Sequence, residues 1–68
     1  MTMDKEQFKE KVFRKMHEKG YADHKTDEEI RQAIQEYDDI IDSGMSWGDQ
    51  YGEDHGVRYA ADNISMCI

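Results

Sequence analysis

The sequence predicts a small all-α protein, a three-helix bundle built as a single domain over residues 1–68. Two observations indicate helices. Apolar residues recur every three or four positions, and residues that favour helix starts and ends flank these segments. The chain contains no proline, so no helix is broken by one. Apolar residues make up only 37% of the chain, which alone would suit disorder, but the periodicity and the caps favour a folded domain.

The first predicted helix covers residues 5–19. Asp4 is a favourable N-cap residue, because its carboxylate can accept a free backbone N–H of the first turn. The apolar face consists of Phe8, Val12, Phe13 and Met16. Gly20 stands where a left-handed residue commonly ends a helix, and Tyr21 is expected to fold back onto the last turn.

The second predicted helix covers residues 27–43. Thr26 and Glu29 have the spacing of a capping box, in which each side chain accepts the other residue's backbone N–H. The apolar face consists of Ile30, Ala33, Ile34, Tyr37, Ile40 and Ile41. Gly44 has the position of a C-terminal glycine that ends this helix.

The third predicted helix covers residues 46–66, with Ser46 and Asp49 as a capping signal. Its buried stripe consists of Val57, Ala61, Ile64 and Ile68. Glycine inside a helix costs about 1 kcal/mol relative to alanine, and this segment holds three. The segment is therefore either one helix whose apolar face shifts, or two pieces broken near residues 52–56.

A four-residue period runs through residues 47–62. Its first positions are Trp47, Tyr51, His55 and Tyr59. Its second positions are Gly48, Gly52, Gly56 and Ala60. Positions four apart are neighbours on a helix, so the pattern predicts an aromatic ridge beside a smooth groove that another backbone could approach. Three interpretations stay open: internal packing, a partner-binding surface, or a glycine-rich loop with no special role.

Charge divides the chain into two parts. Residues 1–25 carry seven basic and five acidic side chains, and residues 26–68 carry two basic and eleven acidic ones, which gives the net charge of −7. This balance repels nucleic acids and anionic membranes and favours a protein partner with a basic surface. Lysines of the first helix are expected to screen the acidic helices behind it, leaving the acidic face of residues 38–54 outward.

Acidic residues concentrate around the predicted turn between the second and third helices. They are Asp38, Asp39, Asp42, Asp49, Glu53 and Asp54. Aromatic anchors among carboxylates would suit a partner rich in arginine and lysine, whereas the alternative is a solvated face without a partner. The predicted partner-binding residues are Asp38, Asp39, Asp42, Trp47, Asp49, Tyr51, Glu53, Asp54, His55 and Tyr59.

Motifs for catalysis are missing from the sequence. It has no phosphate-binding glycine loop and no nucleophile elbow, and its only cysteine, Cys67, has no partner for a disulfide. Asp49 and Glu53 are too few ligands for a metal ion. We therefore expect neither an enzyme nor a bound metal or cofactor. The lone cysteine, with no secretory or membrane-spanning apolar run, predicts a soluble cytoplasmic protein.

Together these features predict a small acidic protein-binding module. Its composition resembles that of phage and mobile-element products that inhibit host enzymes, so we expect it to modulate or inhibit a larger nucleic-acid-handling protein. Mimicry of a nucleic acid by the carboxylates is a sharper form of this hypothesis. The alternative is a structural or assembly protein that forms a homodimer through the glycine-lined third helix. The sequence leaves open whether the chain is a monomer or a homodimer.

Overall fold

The computed structural model describes residues 4–21 and 23–68, and the described chain folds into four α-helices. They are α1 Lys5–Lys19, α2 Asp27–Glu36, α3 Asp38–Tyr51 and α4 Glu53–Cys67. The predicted all-α class is confirmed, but the count of three helices is wrong. The first helix has the predicted bounds, whereas the chain after residue 36 is divided differently from the prediction.

Both ends of α1 follow from local chemistry. At the start, the Asp4 carboxylate accepts the backbone N–H of Glu6 at 2.9 Å. At the end, Gly20 is left-handed, with φ 69° and ψ 24°. The N–H of Tyr21 reaches back to the carbonyl of Met16 at 3.1 Å, which completes the hydrogen-bond pattern of a Schellman cap.

The second predicted helix ends seven residues early. Its start is as expected, because Thr26 and Glu29 form both bonds of the capping box. At Tyr37, however, the backbone leaves the helical conformation, with φ −96° and ψ 49°. A new helix begins at Asp38, where acidic side chains in the first turn suit the positive end of the helix dipole.

The third predicted helix is also wrong in its bounds. Gly44 and Ser46 lie inside α3, so the first does not end a helix and the second does not begin one. Glycine 52 separates α3 from α4, and the segment is broken there instead of continuing from 46 to 66. This break falls within the window 52–56 that the sequence offered as the second alternative.

Helices α3 and α4 pack as an antiparallel hairpin, and α1 lies against both of them. The predicted apolar faces supply the core, to which the structure adds Ala60. The buried core residues are Phe8, Val12, Phe13, Met16, Ile30, Ala33, Ile34, Ile41, Val57, Ala60, Ala61 and Ile64. Helix α2 packs on α1, where the Arg31 guanidinium stacks 4.1 Å from the ring centre of Phe13 and binds both oxygens of Glu10.

Candidate functional site

Three aromatic rings form a cluster on the outside of the α3–α4 hairpin. The ring centres of Trp47 and Tyr51 are 4.5 Å apart, and Trp47 stacks on Tyr59 at 5.7 Å with 21° between the planes. Trp47 is 43% exposed and Tyr51 is 56% exposed. We call these three residues the aromatic cluster. It joins two helices, whereas the sequence predicted a ridge along one.

The fourth member of the predicted ridge lies elsewhere. His55 is exposed in the first turn of α4 and lines a groove together with Lys15, Lys19 and Arg58. The four-residue period thus brought three of its four ring positions together, because the break at Gly52 turns the chain back on itself.

Three of the four positions of the predicted groove are buried inside the molecule. They are Gly48, Gly56 and Ala60, which are joined there by Gly44, whereas Gly52 is exposed between α3 and α4. A Cβ on Gly56 would overlap the carbonyl oxygen of Gly44 and stand 2.8 Å from the Cα of Gly48. These glycines therefore let the two backbones of the hairpin touch. Helix pairing through these glycines therefore occurs within one chain, between α3 and α4.

Half of the predicted acidic corner faces α1. The Lys5 ammonium lies 2.8 Å from a carboxylate oxygen of Asp38 and 3.0 Å from one of Asp42, and Lys11 pairs with Glu53. Lysines of the first helix therefore do neutralise acidic residues behind it. These three carboxylates contact lysines of α1 while their side chains stay partly exposed to solvent.

The other half of the corner is exposed. Asp39, Asp49 and Asp54 make no ion pair with any residue in the described ranges. Trp47 follows Asp38 by nine residues, which places it roughly 180° around α3 at 100° per residue. The aromatic cluster therefore lies on the side of α3 that faces away from the pair of Lys5 and Asp38.

The ion pair between α1 and α3 makes folding depend on pH. The hydrogen bond from Lys5 lowers the pKa of Asp38, and the same contact raises the pKa of Lys5. Because the folded pKa of Asp38 lies below its unfolded value of about 4, the pair stabilises the fold above that pH. Its contribution is lost as the pH falls through the lowered pKa.

We expect Asp38→Asn to lower Tm slightly at pH 7. At pH about 2 the variant should match the parent protein, because the Asp38 carboxyl of the parent is then protonated and uncharged. The measurement is thermal unfolding followed by circular dichroism across this pH range. Asp39→Asn is the matched control, because it removes the same charge from the same helix turn without breaking an ion pair. If both variants lost the same stability at pH 7, the contact with Lys5 would contribute nothing.

No sequence pattern predicted the groove of about 310 Å³ that is lined by Lys15, Lys19, Asp54, His55 and Arg58. A signal was present, since Lys15 and Lys19 are four residues apart and therefore share one side of α1. Arg58 could not be placed with them from the sequence, because α4 had no predicted contact with this end of α1.

In the described ranges, no group of three or more histidine, cysteine, aspartate or glutamate side chains is arranged to hold a metal ion. None of the helices of residues 4–21 and 23–68 has the length and apolar character needed to cross a membrane. Comparison with known proteins finds no match for this chain among protein families, curated proteins or solved structures.

Proposed function

We propose that this protein is a binding module that docks on a larger protein through its aromatic cluster and modulates that protein's activity. The observation that carries the proposal is the exposure of two neighbouring aromatic rings, Trp47 and Tyr51. A 68-residue domain has little apolar surface to spare for stability. The only tryptophan of the chain is exposed, as is typical of an apolar patch that a partner covers.

The geometry of the aromatic cluster suits recognition. Tryptophan and tyrosine are the residues most often found at the energetic centres of protein interfaces. Trp47 contacts the rings of both Tyr51 and Tyr59, which restricts the positions its own ring can take before a partner arrives. Side chains that are ordered in advance lose less conformational entropy on binding, which strengthens association.

Net charge supports a partner with a basic surface. Each ion pair in the fold cancels one positive and one negative charge, so the net charge of −7 remains after all pairs have formed. Such a charge accelerates encounter with a positively charged partner and slows encounter with an acidic one. The nucleic-acid-binding face of a protein has the required sign, so a nucleic-acid-handling protein is the target class that we propose.

The same charge disfavours a second copy of this chain as the partner. Two copies would each bring a charge of −7 to the contact, and salt would then strengthen the association by screening the repulsion. Binding to a basic partner responds in the opposite direction, because salt screens an attraction. The salt dependence of binding therefore shows whether the aromatic cluster binds a basic partner or a second copy of this chain.

The proposal is tested by capturing proteins from a lysate of the organism that encodes the chain, with parent and variant chains in parallel. We expect one protein to be retained by the parent and lost with Trp47→Ala or Tyr51→Ala, since truncating a hot-spot ring costs about 2 kcal/mol or more. Met66→Ala is the matched control, because Met66 is 84% exposed and lies outside the aromatic cluster. Circular dichroism confirms that each variant is folded.

Trp47 supplies a direct readout, because it is the only tryptophan. In a chain labelled with 5-fluorotryptophan, the single ¹⁹F signal should shift when the captured protein is added, and the shift should weaken at 0.5 M salt. Duplex DNA should compete if the carboxylates occupy a nucleic-acid site. Equal retention by the parent, Trp47→Ala and Tyr51→Ala would contradict the docking role of the aromatic cluster, and an unchanged ¹⁹F signal would do the same.

A further inference from the structure

A basic groove lies between α1 and α4, apart from the aromatic cluster. Lys15 and Lys19 reach it from the second half of α1, and His55 and Arg58 reach it from the first half of α4. Asp54 is the only acidic residue that lines it. Three permanent cations and one carboxylate leave the groove with a local charge of about +2, although the protein as a whole carries −7.

These three cations have no partner of opposite charge. Within the described ranges, Lys15, Lys19 and Arg58 make no ion pair within 4.0 Å. Lys5, Lys9, Lys11 and Arg31 each make one, whereas Arg14 and Lys25, which do not line the groove, are also without one. A chain with sixteen acidic residues has enough carboxylates to pair every cation, so grouping three unpaired ones opposes folding stability. Conflicts of this kind between charge and stability tend to occur at functional sites.

We propose that the groove between α1 and α4 binds a small polyphosphate anion. Arg58 can donate two parallel N–H bonds to one phosphoryl group, which is the geometry that guanidinium offers and ammonium does not. Lys15 and Lys19 supply two further positive charges, and the imidazole of His55 adds an N–H donor. Asp54 opposes an anion in the groove and limits its affinity.

The surrounding charge selects a small anion over a long nucleic acid. At physiological salt, charges interact over a Debye length of about 8 Å, so a compact ligand in the groove responds chiefly to the local cations. A polymer would extend past the groove onto a surface with excess carboxylates, where its phosphates would be repelled. A groove of about 310 Å³ can enclose a few linked phosphoryl groups.

The test is titration of the full chain with inorganic triphosphate in low-salt buffer, followed by ¹⁵N–¹H amide shifts. Saturable shifts are expected at residues 15, 19, 55 and 58. Arg58→Gln should weaken binding about ten-fold or more, because it removes charge-assisted hydrogen bonds. Arg14→Gln is the matched control, since Arg14 is exposed, lies on α1 outside the groove and changes the net charge equally. Asp54→Asn should strengthen binding.

Three outcomes would overturn the proposal: no saturable shift at millimolar triphosphate, shifts centred outside the groove, or equal weakening by Arg14→Gln and Arg58→Gln. Equal weakening would show that triphosphate is attracted diffusely to any cation of the protein and does not bind a defined site. Trp47→Ala should leave triphosphate binding unchanged, so this test and the test of the aromatic cluster can fail separately.

Discussion

Replacing Gly56 with alanine should strongly destabilise this protein. The new Cβ would overlap the carbonyl oxygen of Gly44 and lie 2.8 Å from the Cα and 2.9 Å from the N of Gly48. All three are backbone atoms, so no side chain can rotate away and the two helices must separate. Overpacking of a core costs about 1–3 kcal/mol and more where backbone must move, whereas the gain in helix propensity is only about 1 kcal/mol.

We expect a net loss of about 3 kcal/mol, which is between about a third and all of the total stability of about 3–10 kcal/mol expected for 68 residues. Urea unfolding, followed by circular dichroism and by Trp47 fluorescence, measures this loss.

Gly44→Ala should lose less stability, because two of the three contacts of its new Cβ at 3.0 Å are the side chains of Ala60 and Phe8. Gln50→Ala, at an exposed position of α3, should change stability by about 0.5 kcal/mol or less. Parent-like stability of Gly56→Ala would contradict the close approach of α3 and α4.

Substitution of Gly52 should destabilise the fold through the backbone and not through the size of the new side chain. Gly52 joins α3 to α4 with φ 113° and ψ 149°, a region that essentially only glycine occupies. A Cβ there has room, because the nearest atom it would meet is His55 Cδ2 at 3.8 Å. We expect Gly52→Ala and Gly52→Leu each to lose about 1–3 kcal/mol, with little difference between them.

The other glycine with positive φ provides the control. Gly20 lies in the left-handed helical region, which asparagine tolerates, so Gly20→Asn should cost less than about 1 kcal/mol. Gly52→Asn should be as destabilising as Gly52→Ala, because the conformation of Gly52 is not the one that asparagine favours. Thermal unfolding of the four variants measures this. A much larger loss for leucine than for alanine at position 52 would show instead that a side chain is excluded there.

Helix α1 shows how much of this fold could be predicted from sequence. Asp4 and Gly20 act on backbone groups within a few residues, and the buried side chains of the helix repeat at the helical period. Each of these signals is local, so both ends of the helix and its buried face were predicted correctly. The capping box of α2 was predicted for the same reason.

The break at Tyr37 could not be predicted in this way. The apolar period of α2 continues through Tyr37 into Ile40 and Ile41, and neither glycine nor proline marks the change of direction. Gly44 has the local appearance of a helix end, yet it is a contact point with Gly56 and Ala60 on α4. The role of Gly44 depends on this tertiary contact, which local sequence signals do not reveal.

The candidate sites divide in the same way. The sequence by itself predicted three features. They are the rings of the aromatic cluster, the acidic balance of residues 26–68, and the pairing of lysines of the first helix with acidic residues behind it. Only the tertiary structure determined which carboxylates pair with lysines, as Asp38 does with Lys5, 33 residues away in the chain. It also determined which cations line the groove. Spacing along a helix determines which side chains share a face, whereas contact between two faces depends on how the chain turns at Tyr37 and Gly52.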